Sequence, residues 1–327
     1  KNRNKVLESM YLDGYISLEN KNKAIQEKIN LNYQKADNFL EDKLLINFIL
    51  AETDRRIENK KNHKFLIIKS SINKDWQESA QKIARYVGPK EIEFALLSIE
   101  SNTGLIKTMV TSRNPSFNEY NRVTSSIRPL GSTFKIIPYA AALIEGAELR
   151  DKFEDLPTCW ESYCPKNFSN KYRGTISLVE SFKSSSNIVP ISITKKIGLK
   201  NIINLANKFG LGYKQELEEV PSLAIGSFGD NLLNITNAYS AINNNGMIQI
   251  PNILEKIESF NNQSIWENKF TYKKILDSKV NKKMNKLLEK SVKEGTSKAA
   301  SIKGKKIYGK TGTSDGNKDL WFIGSID

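Results

Sequence analysis

Residues 128–143 read Arg-Pro-Leu-Gly-Ser-Thr-Phe-Lys-Ile-Ile-Pro-Tyr-Ala-Ala-Ala-Leu, with Ser132 and Lys135 at the mouth of an apolar helical run. On a helix, positions i and i+3 share a face, so the spacing puts the lysine amine within hydrogen-bond reach of the serine hydroxyl, the geometry of a nucleophile and its base. Gly131 allows a tight turn before the serine. The helix N-terminus adds amide donors and a positive dipole end suited to a developing oxyanion. Pro138 removes a backbone bond to Phe134 and is expected to kink the helix or tighten its turn. The spacing alone decides little, because it recurs at Ser71 with Lys74, Ser79 with Lys82 and Ser192 with Lys195, and the plain reading of any single match is a solvated helix face.

Composition narrows the chemistry. The chain has 327 residues, 39% of them hydrophobic, enough for one large domain with an appendage or for two domains. A net charge of +14 suits an anionic surface or wall polymer, or is only a solubility bias. No basic run is interleaved with aromatics, so nucleic acid is not expected as a partner. The single histidine, His63, lies in Lys-Lys-Asn-His-Lys, where solvent exposure is expected, and this leaves no Ser-His-Asp triad. With two cysteines and one histidine, no metal or other cofactor is expected. The sequence from Lys1 has no apolar leader and no run of 18 apolar residues, so any membrane association would come through an N-terminal anchor outside this segment.

Along the chain, residues 1–62 read as short helices, with Val6, Leu7, Met10 and Tyr11 spaced as one stripe. Phe65–Ile68 reads as a strand. An amphipathic helix follows, with Trp76, Ala80, Ile83, Ala84 and Val87 falling on one face before Gly88 and Pro89 stop it. Phe94–Ile99 and Leu105–Val110 form a hairpin in this reading. Ser177-Leu178-Val179-Glu180 is a capping box. Helices are expected at Ile191–Ile197, Ile202–Phe209, Leu232–Ile242 and Lys282–Lys293. Ile307–Thr313, a turn through Asp315-Gly316-Asn317, and Leu320–Gly324 read as strand, hairpin, strand.

Three motifs then line up in order: Ser132-Thr133-Phe134-Lys135, Ser185-Ser186-Asn187 and Lys310-Thr311-Gly312. S-x-N recurs at Ser71, Ser116 and Ser259, whereas K-T-G occurs once. Order, separation and setting together resemble the penicillin-recognising serine acyltransferases. The flanks resemble class A penicillin-binding proteins: Tyr120-Asn121-Arg122-Val123, Pro165-Lys166-Asn167-Phe168, Tyr172-Arg173-Gly174, Ser222-Leu223-Ala224-Ile225-Gly226-Ser227, Ala238-Tyr239, Asn245-Gly246 and Asp319-Leu320-Trp321-Phe322-Ile323-Gly324. Two departures are Val110-Thr111-Ser112, where the family usually has Val-Gly-Gly, and the proline at Pro138 rather than directly after the lysine.

The resemblance implies an α/β (α+β) fold, a mostly antiparallel sheet sandwiched by helices. It implies a helical linker over 1–62, following an absent glycosyltransferase module, and a penicillin-binding transpeptidase domain over 63–327 that is truncated at its C-terminal end. The implied function is DD-transpeptidation of peptidoglycan stem peptides through an acyl-serine, inhibited by β-lactam antibiotics, on the extracytoplasmic side of the membrane. A DD-carboxypeptidase, a serine β-lactamase and a non-enzymatic β-lactam sensor share the same motifs and stay open. By motif, Ser132 resembles the nucleophile and Lys135 its base. Ser185 relays a proton to the leaving D-alanine, Lys310 is its electrostatic partner, and Asn187 binds the substrate amide. Thr311 and Thr313 suit the terminal carboxylate, Gly312 lets an extended peptide approach the strand, and the amides of Ser132 and Thr313 form an oxyanion hole. Lactamases of class A add a glutamate that activates water. Its nearest imitation here is Asp230 in Asp230-Asn231-Leu232-Leu233-Asn234, read as a helix N-cap. Cys159 and Cys164 flank Trp160-Glu161-Ser162-Tyr163 and either close a small loop, if the domain is exported, or remain two thiols.

Overall fold

The computed structural model describes residues 2–27, 42–57, 65–113, 120–212 and 217–326. His63, the S-x-N at Ser116 and the expected boundary at 62–63 lie outside them. The chain forms two compact units, Lys1–Phe39 and Leu40–Asp327.

In the first unit, helices Asn2–Leu12 and Leu18–Gln26 pack on each other, and the Ser17 side chain caps the second by accepting from the Asn20 amide. Arg3 ties their ends together, donating to the carbonyls of Ile25 and Glu27 at 2.8 Å each. Of the expected stripe, Leu7 and Tyr11 are half-buried and Val6 and Met10 exposed.

The second unit is organised around the helix Ile136–Ile144, buried at every residue through Leu143. Helices Leu178–Lys183, Ile188–Ile197, Leu199–Lys208, Leu232–Asn243 and Ser278–Glu294 surround it and contribute Phe182, Val189, Ile202, Ile235 and Leu287 to one core. Each such side chain, once fully buried, contributes about 1.5–3 kcal/mol. The hairpin of Ile307–Thr313 and Leu320–Ile326 adds Tyr308 and Ile323 to the same core, with Lys310 opposite Ile323 and Gly312 opposite Trp321. A second core joins the helix Lys43–Asp54 to the antiparallel sheet Leu66–Ser70, Leu254–Ser259 and Ser264–Glu267 through Leu45, Leu254 and Ile257. The ladders are antiparallel, as expected, and among the described residues they are divided among small sheets of two or three strands. No helix among the described residues is long and apolar enough to cross a membrane.

Two local expectations need correction. The helix Lys74–Tyr86 is amphipathic, but Gln77, Ala80 and Ala84 are its buried residues, whereas Trp76, Ile83 and Val87 are 58%, 48% and 49% exposed. Gln77 causes the rotation. Its Nε2 donates to the Met109 carbonyl at 2.9 Å, its Oε1 accepts from the Met109 amide at 2.8 Å, and so the glutamine completes the strand Ile106–Val110 as another strand would. The two small alanines then sit against that strand's Val110. The second correction is at Leu232–Asn243, whose N-cap is Asn231 and not Asp230. Ser177 caps its helix as expected, its side chain accepting from the Glu180 amide, while the Glu180 carboxylate pairs with Lys183. Cys159 and Cys164 are disulfide-bonded, with Cα atoms 4.2 Å apart, around a tight turn in which Trp160 and Tyr163 exchange backbone bonds.

An unsatisfied buried amide or carbonyl costs about 1–3 kcal/mol. Gln77→Leu, although more apolar, is therefore expected to destabilise the protein by about 2 kcal/mol or more, while Ile83→Ser changes stability by no more than about 0.5 kcal/mol. Urea unfolding of both variants checks this, and equal effects would refute the role given to Gln77.

Candidate active site

The apolar helix cannot hydrate a lysine at its start, so Lys135, with 0% exposure, must find protein acceptors. Its Nζ donates to the Ser185 carbonyl at 2.8 Å and to Asn187 Oδ1 at 2.6 Å, and lies 3.3 Å from Ser185 Oγ. Asn187 Nδ2 donates to the Lys166 carbonyl at 2.7 Å, which fixes Oδ1 toward the lysine. Ser185 ends the turn after Leu178–Lys183 with φ +58, a left-handed backbone unusual for a residue with a side chain, and this aims its carbonyl at the amine.

Lys310 reaches the same hydroxyl from the strand. Its Nζ, also fully buried, donates to Ser185 Oγ at 2.9 Å, to the Thr311 carbonyl at 3.0 Å and, at 3.5 Å, to Thr296 Oγ1. Burial pushes Lys135 well below the ordinary lysine range, with the charge of Lys310 adding to the effect and that of Asp155 opposing it. Burial alone brings Lys310 down to about 7. Two cations around one hydroxyl repel, so burial and the charge of Lys310 together favour the neutral form of Lys135. In that form its two N–H groups suffice for the Ser185 carbonyl and Asn187 Oδ1, and its lone pair can accept a proton.

Ser132 sits on a 3₁₀ turn, Gly131–Thr133, that precedes the helix. Around Pro138 the bonds tighten as expected: Phe134 donates to Gly131 and Ile137 to Phe134. The direct Ser132–Lys135 bond expected from the spacing is not formed among the described residues, because the tight turn and the pull of Ser185 and Asn187 take the amine elsewhere. The turn is moored on several sides. Gly131 N–H donates to the Gly226 carbonyl at 2.9 Å, Tyr239 OH to the Thr133 carbonyl at 2.8 Å, and Trp321 Nε1 to the Pro129 carbonyl at 2.9 Å. The Lys310-Thr311-Gly312 strand packs directly on it. A Cβ at Gly312 would lie 2.7 Å from the Leu130 carbonyl oxygen, and one at Gly131, where φ is +51, would lie 2.4 Å from the Thr313 carbonyl oxygen. Glycine at both places is what lets Ser132 and Thr313 stand side by side.

Of the residues singled out in the sequence, Lys135, Ser185, Asn187 and Lys310 are joined by hydrogen bonds, Thr311 meets Thr296 at 3.3 Å, and Gly312 and Thr313 abut the serine turn. Ser71 is buried against the carbonyl of Ile106, away from these contacts. Asp230 is buried and its carboxylate accepts from the Gly212 and Asn231 amides and from Asn234 Nδ2, at 2.9, 2.7 and 2.8 Å. Sequence reasoning missed Asp155, Thr296 and Ser297, and it quoted Asn167 without a role. The Thr311 amide donates to Ser297 Oγ at 3.0 Å. Gly295-Thr296-Ser297, directly after a long helix, was the available signal for that pair. An acidic residue in a short strand gave none for Asp155.

Comparison with known proteins identifies the family of the chain. Residues 95–326 match the family model of the penicillin-binding protein transpeptidase domain. Penicillin-binding protein 1A of Rickettsia prowazekii is 29% identical over 263 residues, covering 72% of this chain and 33% of that protein. Its counterpart from Aquifex aeolicus is 29% identical over 242 residues with the same coverage. The chain therefore spans about a third of the length of these relatives. Among solved structures, penicillin-binding protein 1A of Haemophilus influenzae superposes with a TM-score of 0.81 at 20% identity, covering 98% of this chain and 69% of that one. The imipenem acyl-enzyme of penicillin-binding protein A from M. tuberculosis gives 0.71 at 21% identity, covering 88% and 76%.

The two buried amines carry a stability signature. Their folded-state pKa values lie below the unfolded value of 10.5, so between about 7 and 10.5 the unfolded chain holds more protons and stability rises with pH. The melting temperature is expected to climb from pH 7 to 9.5, and Lys310→Met to flatten part of that climb. Parallel profiles for parent and variant would contradict the burial of a titrating amine there.

Proposed function

Since the chain belongs to the penicillin-binding protein transpeptidase family, of the class A type, we propose that it is a serine D-alanyl-D-alanine transpeptidase that crosslinks peptidoglycan stem peptides and is acylated by β-lactams. The observation that carries this reading is the convergence of Lys135, Ser185, Asn187 and Lys310 from three separate segments on one buried hydrogen-bonded cluster beside the Ser132 turn.

Ser132 Oγ attacks the carbonyl of the penultimate D-alanine, and its proton passes to the lone pair of Lys135. The oxyanion is held by the backbone amides of Ser132 and Thr313. As the C–N bond breaks, the leaving D-alanine nitrogen takes a proton through Ser185, which Lys135 then replenishes. A serine ester remains. Lys310 keeps positive charge beside Ser185, and with Thr311 and Thr313 it receives the substrate's terminal carboxylate. Asn187 holds the donor peptide's amide. In the second half, an amine of another stem peptide gives its proton to the same relay, attacks the ester, forms the crosslink and frees Ser132. A β-lactam enters at the first step, its ring opening in place of D-alanine loss.

Family membership also supports a penicillin-binding domain that includes residues 95–326, preceded by a linker behind a glycosyltransferase module; the helix Lys43–Asp54, packed in the core of the second unit, belongs with the domain and not with the linker. The Cys159–Cys164 bridge supports an extracytoplasmic setting, because disulfides persist in oxidising compartments. The engaged carboxylate of Asp230 favours the transpeptidase over the lactamase, since with three donors already bound it is poorly placed to activate water.

Fluorescent penicillin is expected to label Ser132 alone, and Lys135→Ala to slow labelling by about 10²-fold or more while leaving the fold intact. Peptide mapping that places the label on Ser71, Ser79 or Ser192 would overturn the assignment. Once formed, the penicilloyl ester is expected to persist for many minutes. Hydrolysis of a chromogenic cephalosporin at many turnovers per second, abolished by Asp230→Asn, would establish the lactamase instead.

A further inference from the structure

Behind the Ser185-Ser186-Asn187 turn lies a carboxylate that the proposed chemistry does not use. Asp155 ends the strand Lys152–Asp155 and is 0% exposed, and among the described residues it makes no ion pair. A bare buried carboxylate is costly, so its hydrogen bonds identify what it is held for. Oδ1 accepts from Ser186 Oγ at 2.6 Å and from Asn167 Nδ2 at 2.7 Å, and Oδ2 accepts from the Arg173 amide at 3.1 Å. Both Oδ1 partners continue into the turn. Ser186 Oγ accepts from the amides of Ile188 and Val189 at 3.1 and 3.2 Å, and so satisfies the first amides of the helix Ile188–Ile197. Asn167 Oδ1 accepts from the Asn187 amide at 2.7 Å. The residue between these anchors and the lysine is Ser185, in its left-handed conformation, and such a residue persists only where its surroundings over-determine it.

We propose that Asp155 is a positioning residue for the acyl transfer: through Ser186 and Asn167 it clamps the strained turn so that the Ser185 carbonyl and Asn187 Oδ1 capture both N–H groups of Lys135 and leave its lone pair for Ser132. This rests on the transpeptidase reading above. It assigns Asp155 no contact with substrate. Its charge has a second consequence. The charged groups felt at Lys135 are Lys310, on the facing strand, which favours the neutral amine, and Asp155, which favours the protonated one. Tyr139, on the lysine's own helix, is held neutral by burial.

The test is the second-order rate of fluorescent-penicillin acylation against pH for parent, Asp155→Asn and Ser186→Ala. Asp155→Asn is expected to lower the plateau by roughly tenfold or more, because the turn loosens. It is also expected to move the acid-side fall of the profile to lower pH, because Lys135 loses the neighbour that favours its protonation. Ser186→Ala, which keeps the charge, is expected to lower the plateau without moving that fall. An Asp155→Asn plateau within about twofold of parent, or an unmoved acid limb, overturns the proposal, as does a Ser186→Ala plateau within about twofold. If Asp155→Asn does not fold, the Ser186→Ala plateau decides alone. A parent protein that does not acylate at Ser132 refutes the transpeptidase reading itself, a result distinct from any difference between variants.

Discussion

Two lysine amines buried around one serine hydroxyl are the constraint on which the rest of this site depends. Water would let both stay charged. Protein does not, and with Ser185 Oγ 3.3 Å from one nitrogen and 2.9 Å from the other, a second proton is opposed by burial and by repulsion together. Each amine has three oxygens around it and they share one: Lys135 has the Ser185 carbonyl, Asn187 Oδ1 and Ser185 Oγ, and Lys310 has Ser185 Oγ, the Thr311 carbonyl and Thr296 Oγ1. The large apolar core is what makes this possible, because a helix buried from Ile136 through Leu143 leaves no water path along its own face.

Much of this was legible in the sequence because the parts that carry it are local. A serine three residues before a lysine, an S-x-N between two helical patterns and a K-T-G in a strand depend on residue type and neighbour spacing, and the structure brings these three segments together. The N-cap at Ser177 and the terminal hairpin were readable for the same reason. What escaped depends on partners far away in the chain. The helix Lys74–Tyr86 has an apolar stripe pointing one way, but a glutamine that can stand in for a strand turns it, and only the position of Met109 reveals this. Asp230 looked like a cap because an aspartate before a helix usually is one, yet the Gly212 amide and Asn234 claim its carboxylate and Asn231 caps instead. Ser132 and Lys135 share a helix face in the ideal geometry, but the chain there is a 3₁₀ turn, and the amine answers to partners about fifty residues on.

The serine turn and the K-T-G strand illustrate how fold and site are coupled. Their separation is set by backbone against backbone, since Gly131 and Gly312 leave no side chain to act as a spacer. Such an interface has little adjustable slack. Its geometry is inherited from the mooring bonds of Gly226, Tyr239 and Trp321, which belong to the scaffold. Solved structures only about one-fifth identical in sequence still share this fold, as expected if what is retained is the set of backbone contacts rather than the identity of most side chains.

The glutamine that pairs with Met109 bears on how the protein behaves in company. A strand edge with free amides and carbonyls is a template on which other chains can assemble, and edge-to-edge growth of that kind leads to aggregates. Along Ile106–Val110 the edge is closed by unlike pieces: the Asn252 carbonyl takes the Ile106 amide, the Ser71 hydroxyl takes the Ile106 carbonyl, the Asn73 amide takes the Lys107 carbonyl, and Gln77 takes both groups of Met109. None of these is a strand that could be displaced in register by a passing copy. The domain thus keeps an incoming extended chain from adding at this edge.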